Sequence, residues 1–471
     1  MLLLAIPLSA ARLGERVVPK RYVLQVTPDL SRETFAGEES IDLQIGEPVT
    51  TLRLHALDLA LSAATLLVGG ETMALTVSPE PVSETVMLDA GRLIPAGPAR
   101  LQLHFEGKLN QELRGFYVSR TEKRKYAVTQ FEATDARRAF PCFDEPSFKA
   151  VYEISLVIDS RDSAISNAQM ISDTPGRRGK HTVRFAPTPP ISSYLVAMLV
   201  GDFRCLKGSS DDIPIRVCTT PGQERLARFA LDTAQAVLHY DNVYFGIRYP
   251  FAKLDLIGIP DFQAGAMENA GAITFRESFL LLDDATASTE DRKLVAGVIA
   301  HEIAHMWFGD LVTMKWWDDI WLNEGFATLM TRRPLEAWHP EWRLDLDAVN
   351  QTLAALATDS RQSTRKIRTG VETPREIFSL FDGIAYGKTA SVLGMIEEWL
   401  GPEVFRKSIS QYLTRYAWNN ASAEDFWSSM AQSSGQPVDT VMRSFVEQPG
   451  APLLHITERC EGEQRLLEVS Q

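Results

Sequence analysis

Residues 301–305 read His301-Glu302-Ile303-Ala304-His305. An α-helix turns about 100° per residue, so positions i and i+4 leave the same face one turn apart. His301 and His305 can therefore bring two ring nitrogens to one ion. Glu302 lies about 100° round from His301, beside such an ion and not on it, where a general base for a metal-activated water belongs. A third ligand has to come from elsewhere. Nineteen positions beyond His305, within Trp321-Leu322-Asn323-Glu324-Gly325, stands Glu324. Two histidines, one carboxylate and an open fourth position describe a catalytic zinc site rather than a closed structural one. The bland reading, a surface helix with two solvated histidines, loses ground to the residues around this motif.

The helix has a start signal in Ser288, an N-cap type with Asp291 three residues on, and a stop in Gly309. Leu294, Val298, His301 and His305 fall along one stripe of it. A second helix is expected from Asp318 or Asp319, carrying Glu324 and ending before Pro334. Upstream, Gln223 to Phe245 reads as an amphipathic helix, with Leu226, Phe229, Ala230, Val237 and Tyr240 on one side and Thr233 its polar member. Lys253 to Ile259 and Ala272 to Phe275 read as strands. Between them, Gly265-Ala266-Met267-Glu268-Asn269-Ala270-Gly271 can run as an extended edge whose backbone pairs with an extended peptide, with Glu268 as the polar group within it.

From about Leu13 to about Phe203 the pattern is strand-like. Tyr22 to Val26, Ser40 to Ile45, Leu101 to Phe105 and Val151 to Ile158 alternate apolar and polar residues at period two, which predicts a twisted antiparallel sheet domain. The stretch from Val128 to Pro146 is charged, aromatic and aperiodic, the character of a loop that a rigid scaffold projects towards a site. After Pro334 the chain is mostly helical. Thr373-Pro374 looks like a helix start, Ala385 to Leu400 like a buried helix closed by Gly401-Pro402, and Ala423 to Met430 and Val438 to Glu447 like further helices. Pro452 to Thr457 and Leu466 to Val469 return to a strand pattern, and two strands make no domain.

The bulk properties agree. Of 471 residues, 45% are hydrophobic and 23% charged, enough for two to four soluble domains. The net charge of −13 argues against nucleic acid or an anionic membrane surface as partner, and no apolar run is long enough to span a bilayer. Cys142, Cys205, Cys218 and Cys460 lack metal-site spacing, and free thiols are the favoured reading; one bridge stays open if Cys205 and Cys218 lie on neighbouring strands. Met1 to Ala11 resembles the apolar part of a signal peptide without its basic start. A signal remnant there implies a periplasmic or secreted protein; otherwise a cytoplasmic one follows.

The combination of Gly265-Ala266-Met267-Glu268-Asn269, the His301–His305 motif and Glu324 resembles the M1 family of zinc aminopeptidases, the gluzincins. The likeness extends to the run from Trp316 to Ala327, the loop from Thr129 to Pro146 and Tyr386-Gly387-Lys388, from about Leu13 to about Ile456. It implies an α+β multidomain chain: a possible leader at 1–12, a saddle-shaped β domain at 13–205, a thermolysin-like catalytic domain at 206–448, mostly helical after a small sheet, and at 449–471 the start of a truncated β-sandwich. It implies one Zn2+ per chain, held by His301, His305 and Glu324, and peptide substrates with a free N-terminus. By the same resemblance Glu302 is the general base and Tyr386 stabilises the oxyanion. Glu268 within Gly265–Asn269, together with Glu132, binds the substrate's α-ammonium, the feature that separates an aminopeptidase from an endopeptidase.

Three departures from the family pattern stand out. Thr331 occupies a position seven after the glutamate ligand where an acidic residue commonly supports a ligating histidine, and Ala270 stands where an aromatic is common. The chain also stops where a lid over the cleft is expected, so the alternative to an aminopeptidase is a catalytically weak or idle zinc-binding fragment. The oligomeric state has no signature in the sequence.

Overall fold

The computed structural model describes residues 12–471, so the leader-like stretch Met1 to Ala11 lies outside the described residues. The N-terminal part is built on an eight-stranded sheet. Its order is Met170–Pro175, Lys180–Phe185, Val151–Asp159, Val17–Asp29, Thr34–Ile45, Gly97–Lys108, Ala60–Val68 and Glu71–Ala74. Period-two burial explains the strands: in Val151–Asp159, Tyr152, Ile154, Leu156 and Ile158 are buried while their neighbours are half-exposed. The sheet is antiparallel apart from one pairing, since Val17–Asp29 and Val151–Asp159 run parallel. That pairing is possible because the long intervening chain builds four other strands of this sheet before returning.

A second sheet of four strands, in the order Ser163–Ser166, Met198–Gly201, Lys125–Gln130 and Gly115–Arg120, is buried on both faces. Lys125–Gln130 ends at the cleft, which is how this part of the chain delivers Gln130 and Glu132 to the site.

Between Gly201 and Arg204 the chain passes to a five-stranded sheet in the order Arg204–Ser210, Ile213–Thr219, Leu254–Ile259, Ala272–Arg276 and Ala266–Met267. Its first two strands carry Cys205 opposite Cys218, and the two are joined as a disulfide, so the open alternative replaces the reading as free thiols. Cys142 is a buried free thiol and Cys460 an exposed one.

The helices follow: α1 (Arg228–Phe245), α2 (Thr289–Ala304), α3 (Trp321–Trp338), α4 (Leu344–Asp359), α5 (Pro374–Phe378), α6 (Thr389–Leu400), α7 (Pro402–Tyr416), α8 (Ala423–Ser434) and α9 (Val438–Val446). In α1, Thr233 is fully buried and its hydroxyl donates to the Phe229 carbonyl, so the polar member of the stripe is satisfied within its own helix. Helix α3 does not end before Pro334, which lies inside it. A proline there removes one hydrogen bond and costs about 3 kcal/mol. Pro334 and Leu335 continue the buried face formed by Phe326, Ala327 and Met330, and that burial carries the helix on to Trp338.

Helix α6 is only partly buried: Val392, Leu393 and Ile396 face the core, but Met395 and Trp399 are exposed. A last hairpin, His455–Glu461 and Gln464–Ser470, pairs with no other strand among the described residues.

Candidate active site

Helix α2 starts as its sequence requires. The Asp291 amide donates to the Ser288 hydroxyl (3.1 Å), and the Asp291 carboxylate accepts the Ser288 amide (2.9 Å), a closed capping box. Its core face is Val295, Ala296, Ile299, Ala300 and Ile303. The stripe of Leu294, Val298, His301 and His305 faces a large cleft instead, with Leu294 half exposed. Apolar side chains at helical spacing thus line a substrate-sized space rather than the core. The helix ends at Ala304, short of Gly309, and His305 is its C-cap.

The three expected ligands meet. His301 Nε2 is 3.1 Å from Glu324 Oε2, His305 Nε2 is 3.4 Å from the same oxygen, and the two Nε2 atoms are 3.1 Å apart. Ligand atoms on a tetrahedral zinc, each about 2.0–2.1 Å from it, stand about 3.3 Å from one another. The triangle therefore has the dimensions of one face of a zinc tetrahedron. His305 Nδ1 lies 2.9 Å from the Phe308 carbonyl, which makes Nδ1–H the donor and leaves Nε2 bare for a metal. Among the described residues this supports His305; Thr331 bonds back to the Ala327 carbonyl (2.9 Å) inside α3.

The charge balance points the same way. Burial pushes the carboxyls of Glu132 and Glu302 far above the usual range, and neighbouring glutamates push them further. Glu268 is raised by burial against the pull of His305. Glu324 alone is driven down, to about 2, because His305 and His301 outweigh its burial. Burial holds His301 below its ordinary value, so its ring is neutral and ready to ligate. Burial opposes charge on His305 too, but Glu268 and Glu324 outweigh it and raise its pKa, a carboxylate field that would equally favour a metal cation on Nε2. Three buried glutamates and the half-buried Glu132 around two histidines ask for a cation, and the His301–His305–Glu324 triangle fits a divalent one.

Gly265, Ala266 and Glu268 line the cleft, whereas Met267 and Asn269 are buried on the opposite side, as alternation in an extended segment demands. Ala266–Met267 is the outer strand of the five-stranded sheet, and the Asn269 side chain donates to the Thr274 hydroxyl (3.0 Å), fixing the turn behind it. The side chains of Met267 and Asn269 therefore shape the edge and do not reach into the cleft. One oxygen of Glu268 and one of Glu132 are buried without a hydrogen-bond partner, and a carboxylate oxygen of each lies within 4.8 Å of the other and of Glu324.

Tyr386 sits in a five-residue π-helical turn, Ile384–Lys388, that leads into α6. Its ring stacks on that of His301, centroids 5.8 Å apart. Burial, then the surrounding carboxylates, raises its phenol well above the ordinary value, so the hydroxyl keeps its proton and remains a donor.

The sequence reading missed the far wall. Helix α4 contributes Leu344, Asp347, Ala348, Gln351 and Thr352 to the cleft, and Phe378 and Phe381 add aromatic surface. The signal for α4 lay in the polar residues among its leucines, which mark a helix with one wet side. The space these walls enclose is about 2000 Å³, room for several residues of a peptide.

Comparison with known proteins decides the family. Residues 18–195 match the peptidase M1 N-terminal domain and residues 229–445 the peptidase family M1 domain. The chain belongs to peptidase family M1. It is 40% identical over 451 residues to aminopeptidase M1-D of Oryza sativa subsp. japonica, covering 95% of this chain and 51% of that protein. It is 37% identical over 470 residues to puromycin-sensitive aminopeptidase of Caenorhabditis elegans, covering 98% and 50%. With the alanine/arginine aminopeptidase of Saccharomyces cerevisiae the identity is 39% over 460 residues, 96% of this chain and 54% of the relative. The chain spans about half the length of the curated relatives it matches. No helix among the described residues is long and apolar enough to cross a membrane.

Proposed function

We propose that this chain is a zinc-dependent aminopeptidase that removes residues from the free N-terminus of peptides. The observation that carries the reading is the pair of unpartnered buried oxygens on Glu132 and Glu268, close to the ligand triangle. A substrate's α-ammonium between these carboxyls would supply the hydrogen-bond donors that their buried oxygens lack and a positive charge that favours their ionised form. It also sets the distance from the N-terminus to the reacting carbonyl at one residue. An endopeptidase has no use for such an anchor. The three relatives named above are aminopeptidases, which supports the same reaction class.

Zinc held by His301, His305 and Glu324 would lower the pKa of a coordinated water to ~7 and polarise the scissile carbonyl. Glu302, buried beside that point, accepts the water's proton and passes it to the leaving amine; its raised carboxyl suits both halves of that task. The Tyr386 hydroxyl donates to the oxygen on which charge develops. The outer strand at Ala266–Met267 offers backbone groups to the substrate.

The test pairs aminoacyl chromogenic substrates with N-blocked peptides, with and without a chelator. Hydrolysis of the free-amine substrates alone, abolished by chelator and restored by Zn2+, is expected. Cleavage of blocked peptides would overturn the aminopeptidase reading, and zinc binding without any cleavage would favour an idle zinc-binding chain.

We also propose an extracytoplasmic location. The Cys205–Cys218 disulfide and the signal-like start at Met1 to Ala11 support it. Intact-mass analysis of protein made in an exporting host checks it: retention of residues 1–11 and no disulfide would count against it.

A further inference from the structure

Tyr386 stands on the least regular backbone around the cleft. A π-turn is a rare conformation with poorer hydrogen bonding than the helix it leads into, so it persists where its surroundings hold it. Here both ends of the turn are held by ion pairs. At its start, the Asp382 carboxylate accepts the amides of Ile384 (2.9 Å) and Ala385 (3.2 Å), and it is itself gripped by both arms of Arg365 (3.0 and 2.6 Å).

At the other end, the Lys388 ammonium is 2.8 Å from Asp359, the last residue of α4, and donates to the Gly450 carbonyl (3.2 Å). Asp359 in turn accepts the Gly450 amide (3.1 Å) and the Thr364 hydroxyl (2.7 Å). The Lys388 and Asp359 side chains are 8% and 1% exposed. None of these residues except Tyr386 takes part in the chemistry above, and a buried lysine–aspartate pair is not needed merely to end a helix.

We infer that Lys388–Asp359 and Arg365–Asp382 are positioning pairs that clamp the Tyr386 turn at both ends, setting the hydroxyl's distance to the reacting carbonyl and tying it to the chain at Gly450. This rests on the reading that Tyr386 serves an aminopeptidase reaction. The single residue between Tyr386 and the anchored Lys388, Gly387, leaves little slack. Loss of the anchor lets the turn relax towards ordinary helix, which shifts the phenol without touching the zinc ligands or the ammonium anchor.

The test uses the whole zinc-loaded chain. Removing only one charge would leave its partner buried and unpaired, so the variant is Asp359→Asn with Lys388→Met. Its zinc content should stay at one per chain and its KM within about twofold, while kcat falls about tenfold to a hundredfold, the range for a misplaced group. Adding Tyr386→Phe should lower kcat no further than Tyr386→Phe alone, because the clamp acts only through that hydroxyl. Multiplying losses, or an unchanged kcat, would overturn the proposal.

A second readout does not depend on turnover: 3-fluorotyrosine placed at 386 should show a shifted and broadened fluorine line in the Asp359→Asn, Lys388→Met variant. If the wild type hydrolyses nothing, the functional reading fails, yet this line still decides the clamp; a line that does not move overturns it. Should that variant not melt cooperatively, Asp382→Asn at the more exposed end of the turn is expected to give the same kcat loss and line shift, and absence of both overturns the proposal.

Discussion

Replacing Glu302 by glutamine keeps the side chain's volume and removes its ability to take a proton. Because Glu302 lies beside the ligand triangle and not in it, zinc should remain at one per chain while kcat falls by about 10²–10⁴, the usual worth of a general base. Turnover that survives would mean another group is the base. Glu268→Gln should act differently. It leaves the catalytic groups in place and weakens the hold on the α-ammonium, so kcat/KM for free-amine substrates should drop about 10–100-fold, as for a lost hydrogen bond to a charged group. The fall should come mainly through KM, and a change confined to kcat would count against Glu268 as the ammonium anchor.

At this scale the site was unevenly legible in the sequence. His301, Glu302 and His305 could be read from the helical period alone, because the chemistry depends on a spacing that one helix enforces. Tyr386 could not: its place beside His301 depends on a π-turn, and no periodic pattern announces one. Met267 and Asn269 were read as part of the binding run, but strand alternation sends their side chains inward.

Between elements, the decisive contact is the one that lets α3 and α6 meet beside the proposed metal ligands. A Cβ on Gly325 would stand 2.2 Å from Thr389 Cγ2 and 2.7 Å from Thr389 Cβ, so Gly325 is glycine because α6 begins there. Gly325→Ala must part Glu324 from the turn that carries Tyr386. Overpacking of this kind costs about 1–3 kcal/mol, and activity per bound zinc should fall with it. Thr389→Ser removes the nearest methyl and keeps the hydroxyl's bond to the Ile384 carbonyl (3.0 Å), so it should restore part of both in the Gly325→Ala background. No recovery would place the damage elsewhere.

The start of α2 makes a useful contrast. Ser288→Ala removes the cap at the end remote from His301 and should cost about 1 kcal/mol of stability, with kcat per folded chain unchanged. That cap was plain in the sequence because a capping box is local. The passage of α3 through Pro334 was not, since it depends on what the buried face packs against.

Across the whole molecule, the site belongs to neither half of the chain alone. Gln130 and Glu132 come from the end of an N-terminal strand, and the proposed metal ligands come from α2, its cap and α3. Lys149 fastens the halves together: its ammonium donates to the carbonyls of Asp310 (2.8 Å) and Leu311 (3.1 Å), just past the motif helix. Loss of water around it lowers its pKa to about 7, although the Asp310 carboxylate pulls the other way.

The unfolded chain titrates this lysine near ~10.4. Between about pH 7 and pH 10 the unfolded state therefore holds the extra proton, so stability rises with pH across that window. Below pH 7 the group is charged in both states and its contribution is flat. Lys149→Met abolishes this dependence, while titrations elsewhere cancel in the comparison of the two proteins. Unfolding free energies measured from pH 6 to 9.5 should show the wild type gaining on the variant only above about pH 7. Parallel curves would mean that Lys149 keeps an ordinary pKa, and that the junction between the two halves is wetter than its hydrogen bonds imply.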